Sequence, residues 1–264
     1  MHSHTRLQTL KNQKSNLQLI ELSPEESCHV YDHEAQGRHP YGHDWWKNPD
    51  CPFAYKYLSI DSLYPPQYFG PETWHPDVAR AQEIYTYMQQ TYHQVFGRPF
   101  KSILELGTGA GEITCQFHQA NLDYIAVEGT TSGVAHLVGN GIQESRIIKS
   151  NLKFFEPLGR KFDLVMCTEV AEHIEPFFAS KVVDNCIRHG DAVWFSGADR
   201  IWHPHYHHCN EQPIEVWDNL FAHMGFSYSI PLNQLHHRAD RIYFSKQLGE
   251  MLQLPSQARD HFSS

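Results

Sequence analysis

Between Leu104 and Glu112 the chain reads Leu-Glu-Leu-Gly-Thr-Gly-Ala-Gly-Glu, and no other stretch restricts its fold so tightly. Upstream, Ile103, Leu104 and Leu106 make a short apolar run of the kind that forms a buried strand. Downstream, Ile113, Phe117 and Ala120 recur at helical spacing. The glycines therefore sit where a strand passes into a helix. Some positions there need φ > 0, and a missing Cβ lets a ligand lie against the backbone. The helix start supplies unpaired N–H groups and partial positive charge, so the turn is of a nucleotide-binding kind.

A dinucleotide turn would carry Gly or Ala where Glu112 stands, and a carboxylate there disfavours a pyrophosphate. The segments that follow point elsewhere. A second short strand, Tyr124–Val127, ends in Glu128-Gly129, where a bidentate acceptor can take both hydroxyls of a ribose. A third, Arg146–Lys149, leads to Ser150-Asn151-Leu152, and a fourth, Phe162–Cys167, runs into Thr168-Glu169-Val170-Ala171-Glu172-His173. An acid ahead of GxGxG, an acid ending the second strand and these two later segments, in this order, resemble the class I S-adenosylmethionine (SAM) methyltransferases. The resemblance implies that Glu105 receives the methionine ammonium, directly or through water, while the backbone at Gly107, Thr108, Gly109 and Gly111 wraps the ligand. It further implies that Glu128 and Gly129 hold the ribose and that the Asn151 carbonyl oxygen reads the adenine amino group. Leu152 then packs on the ring, and Thr168 and Glu169 complete the cofactor site.

The fold so implied is α/β: a Rossmann-like, seven-stranded, mostly parallel sheet with helices on both faces. Pro76 opens a helix through about Phe96, with Val78, Ala81, Ile84, Tyr85, Met88 and Tyr92 on one face. A helix from Pro176 through Ile187 leads to a fifth strand, Ala192–Ser196, and another begins near Pro213, capped by Asn210 or Glu211, and stops at Gly225. Phe226–Ile230 and Arg241–Phe244 read as strands about a loop at Gln234–His237, and the resemblance makes them the last hairpin of the sheet. Ahead of this catalytic domain, 76–247, residues 1–20 are polar and without periodicity, as a disordered lead is. Residues 21–75 contain a stretch dense in aromatics and histidine and broken by prolines, which suits an N-terminal cap or lid, although each ring alone can equally serve packing. Residues 248–264 read as a helical fragment and tail.

The composition fits a single α/β catalytic domain with an N-terminal elaboration: 264 residues, 41% of them hydrophobic. A formal charge of −9 argues against a nucleic-acid or anionic-membrane surface, which would show as a basic patch. A small molecule or short peptide is the easier substrate. Neither an apolar run long enough to span a bilayer nor a signal-peptide pattern is present, and a cytoplasmic protein is expected. Six cysteines, scattered without a CxxC pair, read as reduced packing residues.

Methyl transfer is an in-line displacement, and an oxygen acceptor must lose a proton, so a base is expected above the fourth and fifth strands. Of 20 histidines, His173 and the group His203, His205, His207 and His208 stand there, with His207, His208 and His173 the catalytic candidates. His207-His208 followed by Asn210, Pro213 and Trp217 is similar to a segment of SAM methyltransferases that act on natural products. Glu169, Glu172 and His173, at i, i+3 and i+4, would share one face of a helical turn and could converge on a divalent cation such as Mg. The same ExxEH pattern resembles metal-dependent small-RNA 2′-O-methyltransferases and ubiquinone-pathway O-methyltransferases, where a later side chain, here His208 or His207, completes the site. ExxEH also occurs in relatives without metal, where His173 would face the substrate. The sequence thus leads to a SAM-dependent O-methyltransferase of a hydroxyl or carboxylate, with an N-methyltransferase and a non-catalytic SAM-binding protein as alternatives.

Overall fold

Among the described residues the apolar runs pair into one seven-stranded sheet. Its strands are β1 (Ser102–Leu106), β2 (Asp123–Glu128), β3 (Ile147–Lys149), β4 (Leu164–Cys167), β5 (Ala192–Phe195), β6 (Tyr228–Pro231) and β7 (Arg241–Phe244). The order across the sheet is β3-β2-β1-β4-β5-β7-β6. β1 to β5 pair in parallel, while β7 runs antiparallel to both β5 and β6, as the terminal hairpin requires. The helices are α1 (Val78–Phe96), α2 (Glu112–Gln119), α3 (Thr131–Gly139), α4 (Ala179–His189), α5 (Ile214–His223) and α6 (Lys246–Met251). This is the α/β, Rossmann-like architecture expected from the sequence.

The computed structural model describes residues 60–64, 66–69, 77–198, 208, 210–232 and 240–254. The chain divides into two units, Met1–Pro65 and Pro66–Ser264; of the first, one short helix, Ile60–Leu63, is described. The expected lead, most of the expected cap, the loop at Gln234–His237 and the last ten residues lie outside the described residues. In the second unit Phe69 is buried and packs near the His136 ring of α3, so this aromatic serves packing. Among the described residues no helix is long and apolar enough to cross a membrane.

Strand alternation divides the core in two. Leu164, Met166, Ala192, Trp194, Ile242 and Phe244 face one side with Ile84, Met88 and Tyr92 of α1, Phe117 of α2 and Leu137 of α3. Val165, Cys167, Val193, Phe195 and Tyr243 face the other, with Val182, Val183 and Cys186 of α4 and Trp217 and Phe221 of α5. Every residue of β4 and β5 is buried, which is why these strands read as continuous apolar runs and not as alternating ones.

Element ends depart from the sequence reading where caps decide them. α1 is capped by Asp77, whose carboxylate accepts from the Arg80 N–H at 2.8 Å, and Val78, expected on the buried face, is 61% exposed. Pro176 opens a 3₁₀ turn, Pro176–Phe178, and the α-helix starts only at Ala179. α5 begins after Pro213 with no side-chain cap, because Asn210 and Glu211 are engaged elsewhere.

At the amino end of the sheet Asp163 ties β4 to β1. Its carboxylate accepts from the Lys101 and Ser102 N–H groups at 2.8 and 3.1 Å and from Arg98 at 2.8 Å, while Ser102 Oγ accepts from the Asp163 N–H. Burial alone would raise the Asp163 pKa, but the Arg98 hydrogen bond and the two N–H donors outweigh it and hold it below the ordinary value. A depressed carboxyl stabilises the folded state above the unfolded pKa of about 3.9, and that contribution is lost as pH falls through the lower folded value. In urea melts between about pH 5 and pH 2, Asp163→Asn should therefore lose stability less steeply with acid than the wild type. Parallel acid profiles would show that Asp163 has no such role.

Candidate functional site

The strand order reverses at β1, so the carboxyl ends of β1 and β4 lie at the switch point where open α/β sheets bind ligands. The glycine turn occupies this point. Gly107, Gly109 and Gly111 have φ of 79°, 55° and 80°, in the left-handed region that other L-residues disfavour. The Gly107 N–H donates to the Val127 carbonyl and the Gly111 N–H to that of Thr108, both at 2.9 Å, and α2 begins directly at Glu112. A Cβ on Gly107 would lie 2.5 Å from Val170 Cγ2, and one on Gly111 2.2 Å from Leu137 Cδ2. At these two positions the missing Cβ therefore makes room for protein side chains, where the sequence reading had assigned the space to a ligand.

Two acids flank the turn. Glu105, the fourth residue of β1, is 4% exposed and accepts from Thr114 Oγ1 of α2 at 2.6 Å. Burial pushes its pKa up to about 8; the Thr114 hydroxyl opposes this and the negative charges of Glu112 and Glu128 add to it. Glu128 ends β2 and is held by three donors. The Thr130 N–H and hydroxyl donate to Oε1 at 2.8 and 2.7 Å, and the Thr108 hydroxyl donates to Oε2 at 3.1 Å. Thr130 also caps α3 by accepting from the Gly133 N–H, so one threonine fixes both the acid and the helix behind it. Gly129 follows, partly buried. Thr114 and Thr130 were not singled out from the sequence; for Thr130 the signal was present, since a threonine immediately before a helix is an N-cap pattern.

Asn151 and Leu152 follow β3. The Asn151 side-chain oxygen accepts from the Lys153 N–H at 3.0 Å, which commits one lone pair of that carbonyl to a local turn. Leu152 is buried in the core, and its carbonyl accepts from Asn185 at 2.7 Å.

Beyond β4, Thr168 is partly buried and Glu169 is exposed, with φ 53°. Ser196 Oγ, just past β5, accepts from the Glu169 N–H at 3.1 Å and donates to its carboxylate at 2.7 Å. The helical turn spans only Ala171–His173. The single helical face expected to carry Glu169, Glu172 and His173 therefore does not form, because a left-handed residue ahead of a one-turn 3₁₀ segment breaks the periodicity.

Glu172 is fully buried, and neither of its carboxylate oxygens has a hydrogen-bond partner among the described residues. Its pKa is raised well above the ordinary range, first by burial and then by the negative charge of Glu169. One ligating atom each of Glu172, His173 and His208 lie within 4.8 Å of one another, and the two imidazoles meet edge to face at 4.6 Å. A buried carboxylate without a donor, beside two ring nitrogens, is a donor set that fits a divalent cation. Glu169 stands outside this group.

The His208 side is anchored from behind. Asn210 donates its N–H to the Glu172 carbonyl at 2.9 Å and its side-chain amide to the Ala171 carbonyl at 3.2 Å, clamping the loop after β5 onto the Glu172 turn. His208 Nδ1 lies 2.8 Å from Glu211 Oε1. Across the site the indole nitrogen of Trp217 is buried without a hydrogen-bond partner among the described residues. It lies 3.4 Å from where a Cβ of Gly197 would stand, and Glu172 Oε2 lies 3.8 Å from the same point. His203, His205, His207 and Cys209 lie outside the described residues.

No family model matches the chain, and no curated protein matches it in sequence. Solved structures do resemble it. The N-methyltransferase NodS from Bradyrhizobium japonicum WM9, in complex with S-adenosyl-L-homocysteine, aligns with TM-score 0.52 and 15% identity over 69% of this chain and 98% of its own. The bifunctional kinase-methyltransferase WbdD aligns with TM-score 0.46 and 15% identity over 69% of this chain, which spans only 42% of WbdD. The N-terminal domain of EvdMO1, in the presence of S-adenosyl-L-homocysteine and D-fucose, aligns with TM-score 0.43 and 12% identity over 63% of this chain and 79% of its own. The likeness to NodS, at 15% identity, is one of fold: the class I methyltransferase architecture.

Gly111 offers the sharpest test of the turn, since a side chain there meets both the positive φ and Leu137. Gly111→Ala should lower unfolding free energy by about 2 kcal/mol or more in urea melts. Gly97→Ala, also at positive φ but with nothing within 4 Å of the added Cβ, should cost less. Equal losses would mean that φ alone, and not the contact with α3, requires glycine at position 111.

Proposed function

We propose that this chain is a SAM-dependent methyltransferase that methylates a hydroxyl or carboxylate oxygen of a small or peptide-like metabolite, in natural-product biosynthesis. What carries this reading is the pair of buried acids, Glu105 and Glu128, on either side of a glycine turn with three positive φ angles at the sheet's switch point. That NodS, the solved structure of like fold, was crystallised with S-adenosyl-L-homocysteine supports the same ligand here. We place the protein in the cytoplasm, consistent with the free thiols of Cys115, Cys167 and Cys186.

Bound SAM supplies a methyl group activated as a sulfonium. Glu105, held by Thr114, would meet the ligand ammonium, and Glu128, steadied by Thr130 and Thr108, would accept from the ribose hydroxyls. Asn151 and Leu152 would serve the adenine, and Thr168 and Glu169 would complete the cofactor site. His208, with His207 or His173 as the other candidates, would take the proton of the acceptor oxygen. Glu172, His173 and His208 would hold a divalent cation such as Mg, and the ion would lower the acceptor's pKa.

Transfer of label from methyl-labelled SAM to pooled hydroxylated and carboxylated metabolites tests the reaction. Alkali-labile product indicates a carboxylate acceptor and alkali-stable ether a hydroxyl. Labelled amine would turn the reading to N-methylation, and tight S-adenosyl-L-homocysteine binding with no transfer would favour a non-catalytic binder.

The elevated Glu105 carboxyl gives the ligand reading a pH signature. Below its pKa of about 8 the free protein holds the proton on Glu105, and an incoming ammonium expels it. Calorimetric titration with S-adenosyl-L-homocysteine between about pH 5.5 and pH 7 should show about one proton released and affinity rising up to tenfold per pH unit. Glu105→Gln should flatten this dependence. Glu128→Ala should weaken binding by about 10- to 100-fold at every pH, as loss of charge-assisted hydrogen bonds does. Proton release that persists in Glu105→Gln would remove Glu105 from the ammonium site.

A further inference from the structure

A base or a metal ligand on the loop after β5 must present a lone pair toward the reacting centre, and an imidazole has two nitrogens to choose from. In a neutral ring one nitrogen carries the proton and the other accepts, so whichever group holds the first decides what the second can do. His208 has its Nδ1 2.8 Å from Glu211 Oε1, and the two side chains are only 9% and 6% exposed. In this pair the carboxylate oxygen is the acceptor, which places the proton on Nδ1 and leaves Nε2 as the acceptor.

The surroundings make this pairing hard to rearrange. Between the two residues, Asn210 is bonded through backbone and side chain to Glu172 and Ala171, so the segment cannot swing without breaking both bonds. Gln212 donates to the Asn210 side-chain oxygen at 3.1 Å and completes the bracket. His173 lies edge to face against the His208 ring, limiting its rotation. Glu211 is not one of the three residues whose ligating atoms converge; its carboxylate meets His208 at Nδ1.

We propose that Glu211 is the positioning residue of His208, holding it in the Nδ1–H tautomer so that Nε2 points its lone pair at the acceptor proton or at a cation shared with Glu172 and His173. This rests on the reading of His208 as facing the reacting centre. A carboxylate behind an imidazole also raises the basicity of the remote nitrogen, and loss of such partners typically weakens metal affinity or activity by about 10- to 100-fold.

The test is the tautomer itself, read by long-range 15N–1H correlation on uniformly labelled full-length protein, with the His208 ring assigned by its disappearance in His208→Gln. Wild-type His208 should show a protonated Nδ1 and an unprotonated Nε2. Glu211→Gln keeps a carbonyl acceptor and should preserve that pattern, whereas Glu211→Leu should release the ring toward the Nε2–H form. A wild-type Nε2–H signature overturns the proposal even if neither Glu211 variant folds, and so does an unchanged pattern in a folded Glu211→Leu protein. Cobalt(II) titration, followed by visible absorption, separates this from the parent reading. If Co²⁺ binds, Glu211→Leu should weaken it by about 10- to 100-fold and Glu211→Gln by less. If it does not bind wild-type protein, the metal part of the proposed function fails while the tautomer still decides for or against Glu211.

Discussion

The position of β1 governs the rest of the molecule. It is the strand at which the sheet order reverses, with β2 and β3 on one side and β4 and β5 on the other. The chain leaving β1 enters α2 on one face of the sheet, and the chain leaving β4 reaches α4 on the opposite face. The loops leaving the carboxyl ends of neighbouring strands thus diverge, which in open α/β sheets is where ligands bind. The glycine turn is tightened into this place from behind by Val170 and Leu137, so the site's backbone is shaped by the packing of its neighbours.

The second consequence is electrostatic. Glu105 lies one residue before the end of β1, Glu128 ends β2 and Glu172 follows β4, and all three are buried. Burying carboxylates is unfavourable, and the raised pKa values of Glu105 and Glu172 express it. The proposed ligand carries an ammonium and a sulfonium, and a divalent cation would add further positive charge beside Glu172. Binding then relieves a strain the free protein carries, and the same burial that destabilises the empty site strengthens attraction within it. Glu128 differs from the other two in having three donors, which suits a residue that must keep one orientation.

Much of this was legible in the residues. The strands announced themselves as short apolar runs because parallel strands are covered on both faces, and the glycine turn marked the first strand-to-helix junction. α3 was not read at all, being a glycine-containing segment whose start depends on Thr130. The ExxEH segment was expected to present one helical face, and the backbone does not form it. Spacing predicts a shared face only if the backbone is helical throughout, and Glu169 is left-handed, pinned by Ser196 from the neighbouring strand. Asn210 and Glu211 looked like a helix cap, but Asn210 bonds across the site to Ala171 and Glu211 pairs with His208, three residues before it.

By itself the sequence determined the order of strands and helices, the chemistry of the glycine turn and the acids at the strand ends. Each of these depends on near neighbours in the chain: alternation, propensity and the conformational freedom of glycine. Tertiary structure alone decided which side chains share the site above β4 and β5. It brought His208 to Glu172 and His173 and set Glu169 aside. The physical reason is that these contacts join loops from different strands, whose relative positions are set by sheet register and by buried hydrogen bonds across more than thirty residues of chain, such as that from Asn210 to Ala171.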